Sequence, residues 1–293
     1  MPVEAVHLSA FLDSVAGSRA EPLFADPRRR DLGRLGALII DLPYFEHFPR
    51  GVARYLLKRP TATSRWGELL HLTRPVEVAH SFFESVRGLR AQPRCSSRAD
   101  DLLAVCLGYV SHLAVDRSLH PLVNRLAREC AERDGRAPGH HHGEVEKFHS
   151  VLFHEARLGF DFMGRRELRE HIAVDAHAIH GDPTLRDAWL GGLGQALGRA
   201  PSASELKRWA KGYGQFVALV SSPFGKLIAP EAQKERARHQ VYVGSWGSFD
   251  QRFDEAVTRS RESMDAALAA VEDPSGSVAA FQQVLPEGPI DLD

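Results

Sequence analysis

Helical periodicity dominates the chain. Apolar side chains recur every three to four positions over residues 5–16, 75–90, 141–160, 165–179, 184–199, 203–221 and 251–271, and each stretch predicts an amphipathic helix. Strand-like alternation is scarce, and only VYVGSWGSF at 241–249 has that character. In GALIIDLPYF, within the apolar segment 35–48, Pro43 predicts the end of a helix. Pro75 stands at a favoured first-turn position, and that helix is expected to end near Gly88. A long helix is expected from about Ala99, kinked or broken by Pro121 and continuing to about Arg133, before the turn GRAPG. There is no internal repeat and no low-complexity linker. The pattern predicts an all-α protein with one helical domain over residues 1–272 and a weakly ordered tail over 273–293.

The long helix contains an anomaly. In GYVSHLAVDRSLHP, residues 108–121, Tyr109, Val110, Leu113, Val115 and Leu119 supply the apolar bulk of a core helix. His112, Asp116 and His120 interrupt it at intervals of four, which puts all three on one side. Burying such a row without partners costs several kcal/mol per group. A metal ion satisfies imidazole and carboxylate together; the alternative is a solvated polar face.

Other stretches repeat the chemistry. In GHHHGEVEKFH, residues 139–149, His142 and Glu146 are four apart, as are His140 and Glu144. Either pair can reach one ion, although acids near a helix N-terminus are also favoured by its dipole. Asp41 follows four apolar residues and needs a partner or caps the turn before Pro43. His71 in ELLHLTRP and His7 in the first helix each read, alone, as satisfied core histidines. HIAVDAHAIH offers another HxxxD, His171 and Asp175, taken here as a decoy.

Composition narrows the field. The net charge of −1 gives no long-range attraction to nucleic acid or an anionic membrane, and Arg28–Arg30 read as a solvated loop. Hydrophobic residues make up 43% and charged residues 26%, enough for a real core. Three cysteines without a CxxC pair suggest reduced thiols, and no signal peptide or transmembrane segment is seen, so a cytoplasmic protein is expected. HExxH, a His-Asp dipeptide, GxSxG and a Walker sequence are all missing, and GGLGQALG at 191–198 does not fit GxGxxG.

Taken in order, His7, Asp41 in GALIIDLPYF, His71 in LLH, GYVSHLAVDRSLHP and HxxxE at 142–146 resemble the zinc-dependent phospholipase C family, which shares its fold with the fungal single-strand-specific nucleases. The specific part is HxxxDxxxHP followed by HxxxE. The resemblance implies two or three zinc ions. Asp41, His71 and His112 would bind one, Asp116 would bridge to a second joined by His7, and His120, His142 and Glu146 would hold the third. The chain opens MPV, without the N-terminal Trp ligand of secreted members, and its Asp116-to-His120 spacing is shorter, so the intracellular branch is the closer match. The implied chemistry is phosphodiester hydrolysis of a phospholipid head group or related ester, with Asp41 orienting or deprotonating the attacking water. Tyr44, Phe45 and Phe48 would line an apolar wall or pack in the core. The alternatives are a nuclease of the same fold, with nucleic acid as substrate, and a non-catalytic metal-binding protein.

Overall fold

The computed structural model of the protein describes residues 4–51, 64–244, 247–273 and 277–288. Thirteen α-helices lie among the described residues, and the only β pairing there joins Val243–Gly244 antiparallel to Gly247–Ser248. The protein is all-α. Its first half runs α1 (Glu4–Val15), α2 (Pro27–Gly36), α3 (Arg65–Leu72), α4 (Pro75–Arg90), α5 (Ser96–Asp134) and α6 (Pro138–Leu158). Its second half runs α7 (Arg166–Ile172), α8 (Ala178–Gly181), α9 (Pro183–Leu197), α10 (Ala203–Val220), α11 (Glu231–Ala237), α12 (Phe249–Glu272) and α13 (Ser277–Val284).

Helix α5 is the axis, with α1, α2, α4, α6 and α12 packed around it. Every residue from Leu102 to Asp116 is buried, because apolar groups point to all sides rather than to one stripe. By length and composition α5 could cross a membrane, but 94% of its most apolar stretch is buried inside the protein. All three cysteines are free thiols, and Cys106 lies buried on this helix.

Two close contacts fix α2 against α5. A Cβ on Gly36 would stand 2.0 Å from the Val105 carbonyl oxygen, and one on Gly108 would stand 1.9 Å from that of Gly33. Only hydrogen fits at either point, so the two backbones touch and the chain leaving α2 is laid directly along the histidine row. Arg28 and Arg29, expected in a solvated loop, lie instead on the first turn of α2. They pair with Asp101 and Asp100 at 2.9 and 3.3 Å.

Several boundaries differ from the sequence reading. The helix before Pro43 ends at Gly36, and Pro43 sits in a 3-10 turn over Leu42–Phe45. Pro121 does not break α5, which continues to Asp134. A Pro inside a helix costs about 3 kcal/mol, and the buried residues on both sides of Pro121 outweigh it. Residues 165–179 do not form one helix. Arg34 donates to the carbonyls of Glu170 and His171, and Tyr213 to that of Ile172, which ends α7 there. The tail expected from Asp273 contains α13, because Phe281 and Leu285, one turn apart, are both buried. The Phe281 ring packs 5.0 Å from that of Phe83.

Candidate metal centre

The buried row on α5 is met by residues from four other elements. α1 brings His7, the turn after α2 brings Asp41, α3 brings His71, and α6 brings His142 and Glu146. His7, Asp41, His71, His112, Asp116 and His120 are all at most 9% exposed. The structure therefore brings together all eight residues singled out in the sequence.

Asp116 stands at the centre and faces two ways. Its Oδ2 is 2.9 Å from His112 Nε2 and 3.7 Å from His71 Nε2. Its Oδ1 is 3.1 Å from His7 Nε2 and 3.4 Å from His120 Nε2. On one flank His71 Nε2 lies 3.2 Å from Asp41 Oδ1. On the other, Glu146 Oε1 lies 3.3 Å from His120 Nε2 and 3.1 Å from His142 Nε2. Imidazoles and carboxylates thus alternate from Asp41 to His142.

The far side of each ring decides which nitrogen is offered. His112 Nδ1 donates to the Ala37 carbonyl at 2.8 Å, and His71 Nδ1 to that of Gly67 at 2.7 Å. His142 Nδ1 donates to Asn124 Oδ1 at 2.9 Å. A neutral ring whose Nδ1 is the donor presents Nε2 as a lone pair, the arrangement that holds an imidazole for a metal. Ala37 reaches His112 because of the glycine contacts between α2 and α5. Three groups offer ligand atoms within 4.8 Å of one another: His7, His112 and Asp116; Asp41, His71 and His112; and His120, His142 and Glu146. Two of the facing atoms, His112 Nε2 and Asp116 Oδ2, are buried 2.9 Å apart and bond to no third group. A cation bound by both satisfies both, so these residues could hold a metal ion.

The electrostatics follow from the alternation. Burial pulls the His112 imidazole down, but the Asp116 and Asp41 carboxylates outweigh it and hold its pKa up at about 9. His71 is raised against the same burial by Asp41. Burial favours the neutral acid at Asp116, yet His112, His120 and His7 hold it well below the usual carboxylate range. Glu146 is depressed, against burial, by His120 and His142. Asp41 is lowered, against burial, by His112 and His71.

Tyr44 lies at the surface beside the row. It is 45% exposed, and its ring lies 5.5 Å from that of His71. Phe45 and Phe48 belong to the core instead and pack on Phe216. The decoy pair does not assemble. His171 is in the last turn of α7, and Asp175 lies beyond the helix end, accepting from the His177 backbone at 3.1 Å. The side chain of His140 lies outside the described residues, so its pairing with Glu144 is left there.

Sequence reasoning missed Glu4, Asn124 and His149. Glu4 stands three residues before His7, a spacing that already puts both on one side of α1. His149 joins His7, Asp116, His120 and Glu146 around a small cavity, and its Nε2 donates to the Val241 carbonyl at 2.8 Å. Comparison with known proteins gave no matching family model, no matching curated protein and no matching solved structure, so the site is read from its own chemistry.

Proposed function

We propose that the protein is a zinc-dependent phosphoric-ester hydrolase, a phosphodiesterase of phospholipase C type acting on phospholipid head groups or related esters. The observation that carries this reading is the division of Asp116, one oxygen toward His112 and His71 and the other toward His7 and His120. A carboxylate with both oxygens facing imidazole sets is suited to bridge two cations. Close paired cations suit a phosphoryl centre, where charge develops on several oxygens at once.

Asp41, His71, His112 and Asp116 would hold one ion, His7 would join Asp116 at a second, and His120, His142 and Glu146 would hold a third. Zinc bound there supplies a water ionised near neutral pH and neutralises developing charge on the phosphoryl group. Asp41 stands at the Tyr44 side of the row, and its low pKa keeps it ionised to accept a hydrogen bond from the attacking water and orient it. His71, fixed by Gly67, holds Asp41 in place. The exposed face of Tyr44 offers a flat wall to the substrate's leaving group.

The test is metal analysis by mass spectrometry on untagged protein, followed by a substrate panel. The panel contains a nitrophenyl phosphocholine, a simple aryl phosphodiester, phospholipid vesicles and single-stranded DNA. Hydrolysis of the diesters is expected, removed by chelator and restored by zinc but not by calcium. Activity should be low at pH 5 and rise toward mildly alkaline pH. Cleavage of single-stranded DNA in preference to the others would select the nuclease alternative. Full metal content without turnover would select a metal-binding protein.

A further inference from the structure

The stretch HIAVDAHAIH, residues 171–180, contributes nothing to the row, yet two of its histidines come together elsewhere. His177 Nδ1 lies 3.2 Å from His180 Nε2, with the two rings nearly perpendicular at 89°. His177 is exposed and His180 half-buried, so the pair stands at the surface.

The backbone beneath the pair is fixed. His177 immediately precedes α8 and His180 lies within it, three residues on and therefore on the same side. The His177 N–H donates to Asp175 Oδ1 at 3.1 Å, and its carbonyl accepts from the Gly181 N–H at 2.9 Å. Ala176 and Ile179 are buried, and α8 packs on α9 and α10. The two imidazoles are thus presented by a turn that the rest of the fold holds in place.

A separation of 3.2 Å has two explanations. One is a hydrogen bond between neutral rings, at the long end of the usual range and dependent on complementary tautomers. The other is a shared cation. Two nitrogens on one tetrahedral zinc, each about 2.0–2.1 Å from the ion, stand about 3.3 Å apart. The observed spacing is already that bite, and only a tautomer shift is needed to turn both lone pairs inward. Burial, and then the charges of His177 and Lys207, hold the His180 imidazole below its usual pKa, which favours the neutral ring that a metal requires. Among the described residues no third His, Cys, Asp or Glu places a ligand atom within 4.8 Å of both nitrogens, so water would fill the other positions.

We propose that His177 and His180 form a separate surface site for a borderline divalent cation such as zinc, nickel or copper, held by two imidazoles and water. An ion bound there ties the residue before α8 to the helix itself. It staples a helix of four residues, far too short to be stable alone. With two protein ligands, against three in each group of the row, it is the readily exchanged ion of the molecule. The site shares no residue with the row, and either can exist without the other.

The test uses untagged, zinc-loaded wild type, His177→Gln and His180→Gln, dialysed to equilibrium against a range of nickel concentrations at pH 7.5. Nickel and zinc per chain are counted by mass spectrometry. The wild type should take up one nickel beyond its zinc, and either variant should bind that nickel at least ~10-fold more weakly. Zinc content and diester hydrolysis should be the same in all three proteins. At pH 5, where imidazole is protonated, the extra nickel should be lost. No nickel uptake by the wild type, or equal uptake by all three proteins, would overturn the site. Nickel that only displaces zinc would overturn it as well. Should a variant fail to fold, imidazole NMR of the wild type decides: copper at low stoichiometry should broaden the His177 and His180 signals first, and broadening confined to other histidines would overturn the proposal.

Discussion

Asp116 is the residue on which the most contacts converge, since four imidazole nitrogens lie within 3.7 Å of its two oxygens. Asp116→Asn keeps the shape but replaces one of those oxygens with a donor. Bound zinc should fall by at least one ion per chain, and phosphodiester hydrolysis by at least ~100-fold, since even outer partners of a metal site contribute 10–100-fold. His7→Gln, at the edge of the row, should lose less on both counts, and equal zinc content in the two variants would contradict the bridging role. His112 makes a second prediction. With its pKa held at about 9 it carries a proton at neutral pH, and zinc needs the neutral ring. Binding must expel that proton, so zinc affinity should rise roughly tenfold per pH unit from pH 7 to 9. Calorimetry in buffers of different ionisation enthalpy should show at least one proton released per chain at pH 7. At this scale the sequence was informative wherever spacing alone sets geometry, as for His112, Asp116 and His120. It was silent on what orients the rings. The acceptors for His112 and His71 are the backbone carbonyls of Ala37 and Gly67, placed by packing and not by residue type.

Between elements, the contact of α2 with α5 does most to shape the centre. Gly108→Ala would drive a methyl into the Gly33 carbonyl, 1.9 Å away, and must push the helices apart. We expect a loss of ~1–3 kcal/mol in urea unfolding, typical of overpacking. Zinc affinity should drop with it, because the carbonyl that aims His112 moves with α2. Gly88→Ala is the control. It lies in α4 with nothing within 4 Å of its Cβ, and Ala there should stabilise the helix by ~0.5–1 kcal/mol. The longer helices were legible because apolar periodicity is a property of the chain itself, whereas the short α3 and α11 were not. For Pro75–Arg90 the start was read to the residue at Pro75, and the end, expected near Gly88, falls two residues later. The ends of α2 and α7 were not legible, because Arg34 and Tyr213 decide one of them from across the fold. Nor was α13, which rests on two apolar side chains in a stretch otherwise rich in turn formers.

For the molecule as a whole, acid should be destabilising through histidines that the centre does not use. His154 donates Nδ1 to the Ser150 carbonyl at 2.7 Å and stacks 4.7 Å from the Phe162 ring. Burial pushes its pKa down to about 4, and that of His149 likewise. The unfolded chain takes up a proton near pH 6.5, whereas the folded one resists until about 4. Stability is therefore lost as pH falls through that window, by about 2 kcal/mol for each such histidine at pH 5. Glu4, held up at about 7 by its burial, works in the opposite direction, so the check is a difference between variants. The stability deficit of His154→Gln relative to wild type, measured with chelator present, should shrink by about 2 kcal/mol between pH 7 and pH 5. An unchanged deficit would mean that His154 is not held neutral.

The burial of α5 has a consequence for how the protein is made. Its widest cover is α12, whose Ser260 donates to Ser111 in the middle of α5 at 2.7 Å. A ribosome finishes α5 at Asp134 and must add more than a hundred residues before Phe249 opens the covering helix. At 5–20 residues per second the most apolar segment of the nascent chain waits on the order of 10 s for its main cover. By contrast, every proposed ligand of the row, from His7 to Glu146, has been synthesised early in that interval. An ion captured then would fasten α1, α3, α5 and α6 to one another while the second half of the chain is still being translated. The metal would serve the newborn protein as a clasp before it served the finished one as a reagent.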